Sequence, residues 1–149
     1  APPAGGDYMK AFVRSHNIIA ATQEVGVFAC DTASGKTIGW HIYGQNGTPN
    51  PSFHWRTWSS FTTGVNDANT TVVPGASPLN RFGGFWLKLI WNSNTDYDMQ
   101  YSLDGETYIE LVTAKAPDSA FTANAAGIMV NPHGSSSPLI GVFGQWELT

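Results

Sequence analysis

The feature that most constrains this chain is the spacing of its apolar residues, which alternate every second position in short bursts. No window of eleven residues keeps the 3.6-residue period of an amphipathic helix. The bursts are rich in aromatic and β-branched residues and run over Tyr8 to Arg14, Glu24 to Asp31, Thr37 to Tyr43, Ser52 to Trp58, Phe85 to Asn92, Asp98 to Ser102, Tyr108 to Ala114, Ala126 to Val130 and Leu139 to Leu148. They predict about nine strands. Turn chemistry separates several of them, at Asp31 to Gly35, Gln45-Asn46-Gly47, Asn92-Ser93-Asn94 and Leu103-Asp104-Gly105, where Asn and Gly adopt positive φ at little cost. The stretch Phe61 to Gly84, rich in Thr, Asn, Pro and Gly, reads as a crossover or a long surface loop. A single turn near Asp118 to Asn124 is the helix candidate. Strands without helices must bury one sheet against another, so the expected fold is all-β, a two-sheet antiparallel β-sandwich.

A chain of 149 residues fits one domain. Residues 1 to 6, opening on Ala1-Pro2-Pro3, read as a linker remnant, and residues 7 to 149 as one sandwich domain from a larger, multidomain parent. The net charge is −4 and the seven basic residues are scattered singly, which offers no footprint for a polyanion, so nucleic acid is not expected as a partner. The longest apolar run, Phe85 to Trp91, is broken by Lys88 and falls far short of the roughly eighteen residues of a membrane span; no membrane partner is expected either. Cys30 stands alone, which rules out an intrachain disulfide and suggests a small buried apolar residue.

Alternation also sorts residues by face, because side chains i and i+2 point the same way along a strand. In Thr37 to Tyr43, Ile38, Trp40 and Ile42 share one face while Gly39, His41 and Tyr43 share the other. In Ser52 to Trp58, Phe53, Trp55 and Thr57 oppose His54, Arg56 and Trp58. The first set in each strand reads as core. The second combines flat rings with hydrogen-bonding tips, the pairing that a sugar site needs, since rings stack on the C–H faces of a pyranose and polar groups take its hydroxyls. Carbohydrate-binding candidates are therefore His41, Tyr43, His54, Arg56 and Trp58, with Lys88 and Gln100 extending the face if their strands lie in register. The bland alternative is that Tyr43 and Trp58 cover a second core while Arg56 snorkels past them. Trp86, Trp91 and Trp146 lie in apolar strands and read as core; His16 and His133 read as loop residues.

Catalysis finds less support. Eleven carboxylates are present, most of them at turns, and Glu106 and Glu110 flank a hairpin rather than forming the strand-borne pair that glycoside hydrolysis uses. There is no G-x-S-x-G elbow, and no motif places a histidine beside Cys30. No catalytic residue is assigned and no enzyme is expected. Asn94, Asp96 and Asp98 form an oxygen-rich loop but lack the spacing and terminal Glu of a calcium loop, so no metal or other cofactor is expected, calcium being the lesser alternative.

The succession Val25-Gly26-Val27-Phe28, Asp31-Thr32-Ala33-Ser34-Gly35-Lys36, Ile38-Gly39-Trp40-His41-Ile42-Tyr43 and Arg56-Thr57-Trp58-Ser59 resembles concanavalin A-like, laminin G-type sandwich modules. So do Phe85-Trp86-Leu87-Lys88-Leu89, the hairpin from Tyr101 through Asp104-Gly105 to Tyr108, Gly127-Ile128-Met129-Val130, and the closing strand Phe143 to Leu148. The resemblance spans nearly the whole chain through short motifs. It implies a jelly roll with one concave sheet that commonly holds saccharide, as in bacteriophage tail proteins and carbohydrate-binding modules. The catalytic carboxylate strand of hydrolytic relatives has no counterpart here.

The reading that follows is a non-catalytic module recognising an oligo- or polysaccharide of a cell surface or cell wall, in a phage tail or baseplate adhesion protein, at an extracellular or virion surface. Two alternatives stand beside it: a structural or protein-interaction sandwich of a tail protein, and an accessory binding module of a secreted glycoside hydrolase.

Overall fold

A computed structural model describes residues 5–16, 23–44, 51–72, 84–117, 121–131 and 140–149. These form ten strands: β1 (Tyr8–His16), β2 (Glu24–Cys30), β3 (Thr37–Gly44), β4 (Pro51–Ser60), β5 (Thr63–Val72), β6 (Phe85–Ser93), β7 (Asp96–Ser102), β8 (Ile109–Lys115), β9 (Ala125–Asn131) and β10 (Ile140–Leu148). They build two five-stranded antiparallel sheets, ordered β10-β1-β6-β7-β8 and β5-β4-β3-β2-β9, packed face to face. The expected all-β sandwich is the observed one.

Each sheet contributes one face of alternating residues to the core. Met9, Ala11 and Val13 of β1 and Phe85, Leu87, Leu89 and Trp91 of β6 meet Val25, Val27 and Ala29 of β2 and Ile38, Trp40 and Ile42 of β3. Phe53 of β4 packs its ring against Trp40 in its own sheet at 5.3 Å and against Phe85 and Tyr101 in the other at 5.2 and 4.7 Å. The buried Trp40 indole N–H donates to the Gln100 backbone carbonyl at 2.9 Å, a hydrogen bond from one sheet to the other. It falls where the β7–β8 register breaks between Met99 and Gln100. Cys30 is buried, as a lone apolar cysteine should be.

Two turns confirm the local chemistry read from the sequence. Asp31 accepts from the Ala33 N–H and the Ser34 hydroxyl, with Gly35 at φ 73° closing the hairpin. Asp104 accepts from the N–H groups of Glu106 and Thr107 and from the Ser102 hydroxyl, and these donors hold its carboxyl well below the usual range. Gly105 beside it is required twice over: its φ is 81°, and a Cβ there would lie 2.7 Å from the Trp86 ring.

Several expectations are corrected. The stretch from Phe61 to Gly84 is not all loop, because Thr63–Val72 forms the edge strand β5 paired along β4. Its Thr and Val residues suit a strand, but its Asn, Asp and Gly hid the alternation. Trp86 is not core, since β6 turns Phe85, Leu87 and Leu89 inward and so turns Trp86 outward, against Phe12. Trp146 is on the core side of β10, but β10 is an edge strand with nothing beyond it, leaving the indole 66% exposed. His16 closes β1 rather than lying in a loop. Of the expected helical turn, residues 118–120, like Gln45-Asn46-Gly47 and His133, lie outside the described residues, and Phe121 to Asn124 are not helical.

Replacing Trp40 with Phe keeps most of the ring but strands the Gln100 carbonyl, which should lower stability by about 1–3 kcal/mol before any cavity contribution. Denaturant unfolding checks this, with a fall in the midpoint as the expected result.

Candidate functional site

The polar face predicted on β3 and β4 exists, and it is the outer face of the β5-β4-β3-β2-β9 sheet. In register, His41 of β3 stands opposite Gly26 of β2 on one side and His54 of β4 on the other. One pleat along, Glu24 of β2 pairs with Tyr43 of β3 and with Asn131 of β9. The diagonal neighbours Glu24 and His41 therefore fall within side-chain reach. Gly26 has to be glycine, because a Cβ there would lie 2.5 Å from the Cα and Cβ of His41.

At the centre is a buried charge. Both Glu24 oxygens are hydrogen-bonded: Arg56 Nη1 donates to Oε1 at 2.7 Å, and Asn131 Nδ2 donates to Oε2 at 2.7 Å. His41 Nε2 lies 3.4 Å from the same Oε1 and 2.9 Å from Nδ1 of His54. Burial alone would raise the Glu24 carboxyl. The hydrogen bond and charge of His41, with Arg56 and Asn131, more than offset it and hold the group ionised below its ordinary range. An isolated buried carboxylate is prohibitively unfavourable, and this one persists because each oxygen is met.

Two rings frame the cluster. Tyr43 lies 4.5 Å from His54, centroid to centroid, and Trp58 lies 6.3 Å from His41 with the Arg56 guanidinium 5.8 Å from its own ring. Trp58 lies across Gly39, where an added Cβ would come within 2.9 Å of the indole. The absence of a side chain at Gly39 gives that ring its seat.

Against the sequence reading, the structure brings together His41, Tyr43, His54, Arg56 and Trp58, and adds two residues that the sequence reading missed, Glu24 and Asn131. The polar tips are not spread in water, however. His41 is 0%, His54 2% and Arg56 7% exposed, while Tyr43 and Trp58 remain partly exposed. The physical reason is the compensation just described, in which the tips satisfy one another. Lys88 and Gln100 do not join this face. They pair with each other on β6 and β7 of the other sheet, where the ammonium of Lys88 lies 4.2 Å from the Tyr8 ring centroid and 5.2 Å from that of Tyr108. Of the carboxylates weighed for calcium, Asp98 accepts from Asn92 Nδ2 on Oδ2 and from the Ala114 N–H on Oδ1, each at 2.8 Å, and Asp96 Oδ1 accepts from Asn92 Nδ2 at 3.4 Å.

No family model and no curated protein matches the chain. Among solved structures, a functionally unknown protein from Saccharomyces cerevisiae superposes with a TM-score of 0.67 at 17% identity, over 100% of this chain and 71% of the other. The GH43 protein BlXynB from Bacillus licheniformis superposes with a TM-score of 0.63 at 12% identity. That match takes in 95% of this chain and 26% of the longer one. At such identities the likeness is one of fold, the two-sheet sandwich.

Exchange of Glu24 for Gln leaves the Arg56 cation buried without its counter-charge, and stability should fall by about 3–5 kcal/mol. The pH dependence carries the same signature. Because the folded carboxyl titrates below its ordinary value of 4.5, its contribution is present above that value and lost as the pH falls through the folded one. Thermal unfolding followed from about pH 7 down to pH 3 should show the wild type losing more stability on acidification than Glu24→Gln.

Proposed function

We propose that this domain is a non-catalytic carbohydrate-binding module that holds an oligo- or polysaccharide on the outer face of the β5-β4-β3-β2-β9 sheet. The observation that carries the reading is the pairing of two partly exposed rings, Trp58 and Tyr43, with the Glu24–Arg56–His41–His54 cluster between them. Rings of this kind accept the C–H face of a pyranose, and the buried cluster, whose tips bond to one another, supports the two rings from below rather than meeting the sugar's hydroxyls itself. Two further points support it: the concanavalin A-like resemblance of the sequence, and the fold shared with part of a GH43 protein, in which a sandwich of this kind is one portion of a longer chain.

The ligand we assign is a cell-surface or cell-wall polysaccharide, the setting an extracellular or virion surface, and the parent a multidomain adhesion protein of the phage tail type or a secreted glycoside hydrolase. Repeated copies would raise a weak single-site affinity by about 10² to 10⁴ through avidity.

A second reading has its own observation. Ile128 and Val130 of β9 and Trp146 and Leu148 of β10 are exposed on the edge strands of the two sheets, an apolar strip suited to protein contact. A domain that self-associates in solution and is silent toward glycans would favour a structural or protein-interaction role.

The test is glycan-array screening followed by calorimetry on the best ligand. Trp58→Ala should weaken binding about tenfold, equivalent to ~1.4 kcal/mol of lost stacking and contact. Trp146→Ala, in the other sheet, should leave it unchanged. Undiminished affinity in Trp58→Ala would remove this face from consideration.

A further inference from the structure

Among the described residues, Glu24, His41 and His54 are a group of potential metal donors with one ligand atom of each within 4.8 Å of the others, and all three are buried. They come from three adjacent strands, β2, β3 and β4, and are held by the sheet register rather than by a loop. We propose that Glu24, His41 and His54 form a three-ligand site for a divalent transition ion of the zinc class.

The spacing is that of ligands around one ion. Bonds of 2.0–2.2 Å in a tetrahedral zinc site put neighbouring ligand atoms about 3.3 Å apart. His41 Nε2 stands 3.4 Å from Glu24 Oε1 and 2.9 Å from His54 Nδ1, and one ligand atom of each of the three residues lies within 4.8 Å of the others, so the set surrounds a single point on which it can close. Two imidazoles with one carboxylate select zinc, cobalt or nickel, and are a poor set for calcium, which takes six to eight oxygens. Asn131 holds the other carboxylate oxygen of Glu24, the outer-sphere support that ligating carboxylates usually have.

Arg56 opposes the ion, because its guanidinium already neutralises Glu24. A divalent cation therefore enters a balanced site as excess positive charge, which favours an anionic fourth ligand such as hydroxide. The rivalry also supplies the discriminating variant. Removing the Arg56 charge should strengthen metal binding, whereas a purely structural ion pair predicts no metal binding to strengthen.

The experiment uses chelator-stripped protein titrated with Zn²⁺ by calorimetry and with Co²⁺ by visible absorption. The expected result is one ion per chain, with the intense visible bands of four-coordinate Co²⁺. Affinity should fall at least about tenfold in His54→Gln and rise about tenfold in Arg56→Gln, with circular dichroism confirming the fold of each. A wild-type Co²⁺ spectrum unchanged from that of the aqueous ion overturns the assignment without reference to any variant. So does binding that His54→Gln leaves intact, or that Arg56→Gln does not tighten. The assignment is independent of the sugar reading, since none of these measurements includes a glycan.

Discussion

The hydrogen bond from the Trp40 indole to the Gln100 carbonyl fixes more than two residues. It spans the interior between the sheets and sets the pleat of β3, a central strand buried on both faces. Once Trp40 points inward, Gly39 and His41 must point outward, because neighbours along a strand face opposite ways. A slip of one residue would drive His41 into the apolar core and expel Trp40 from it. The packing of Phe53 against Trp40, Phe85 and Tyr101 holds the adjacent strand in the same phase, and so places His54 and Arg56 beside His41.

The outer face depends on that phase and then follows a different chemistry. Its rule is compensation of a buried carboxylate, met by a guanidinium, a carboxamide and an imidazole at hydrogen-bonding or near-bonding distance. Such a network is high-stakes. Complete, it specifies one arrangement of five side chains from four strands; incomplete, it leaves a charge in a poorly solvated place. The sheet thus carries an apolar layer within and a polar layer without, and β3 belongs to both.

Much of this was legible in the sequence. Alternation alone placed Trp40 and Phe53 inside and His41, Tyr43, His54, Arg56 and Trp58 together outside, because β3 and β4 are consecutive strands whose faces each declare themselves. What escaped required knowledge of strand order. Glu24 and Asn131 join the cluster only because β2 lies between β3 and β9, a neighbourhood of residues over a hundred positions apart. A signal was present at Glu24, a charge opening the otherwise apolar strand Glu24–Cys30. Lys88 and Gln100 were misassigned for the same reason: their alternation was legible, but which sheet they occupied was not. Trp146 shows the converse limit, since a core-side position on an edge strand need not be covered. β5 was hidden by its polar composition, which suits a strand at the rim of a sheet.

The seat of Trp58 has a consequence for how this face meets anything that lands on it. An indole laid over the bare backbone of Gly39, with Arg56 beside it, is supported from beneath and from the side before any visitor arrives. Little rotational freedom is left in the ring to be surrendered on contact, and that loss is one of the larger penalties of association for a bulky side chain. The surface is in this sense set in advance: a sugar of the kind proposed above would meet a ring already in place rather than one that must settle afterwards.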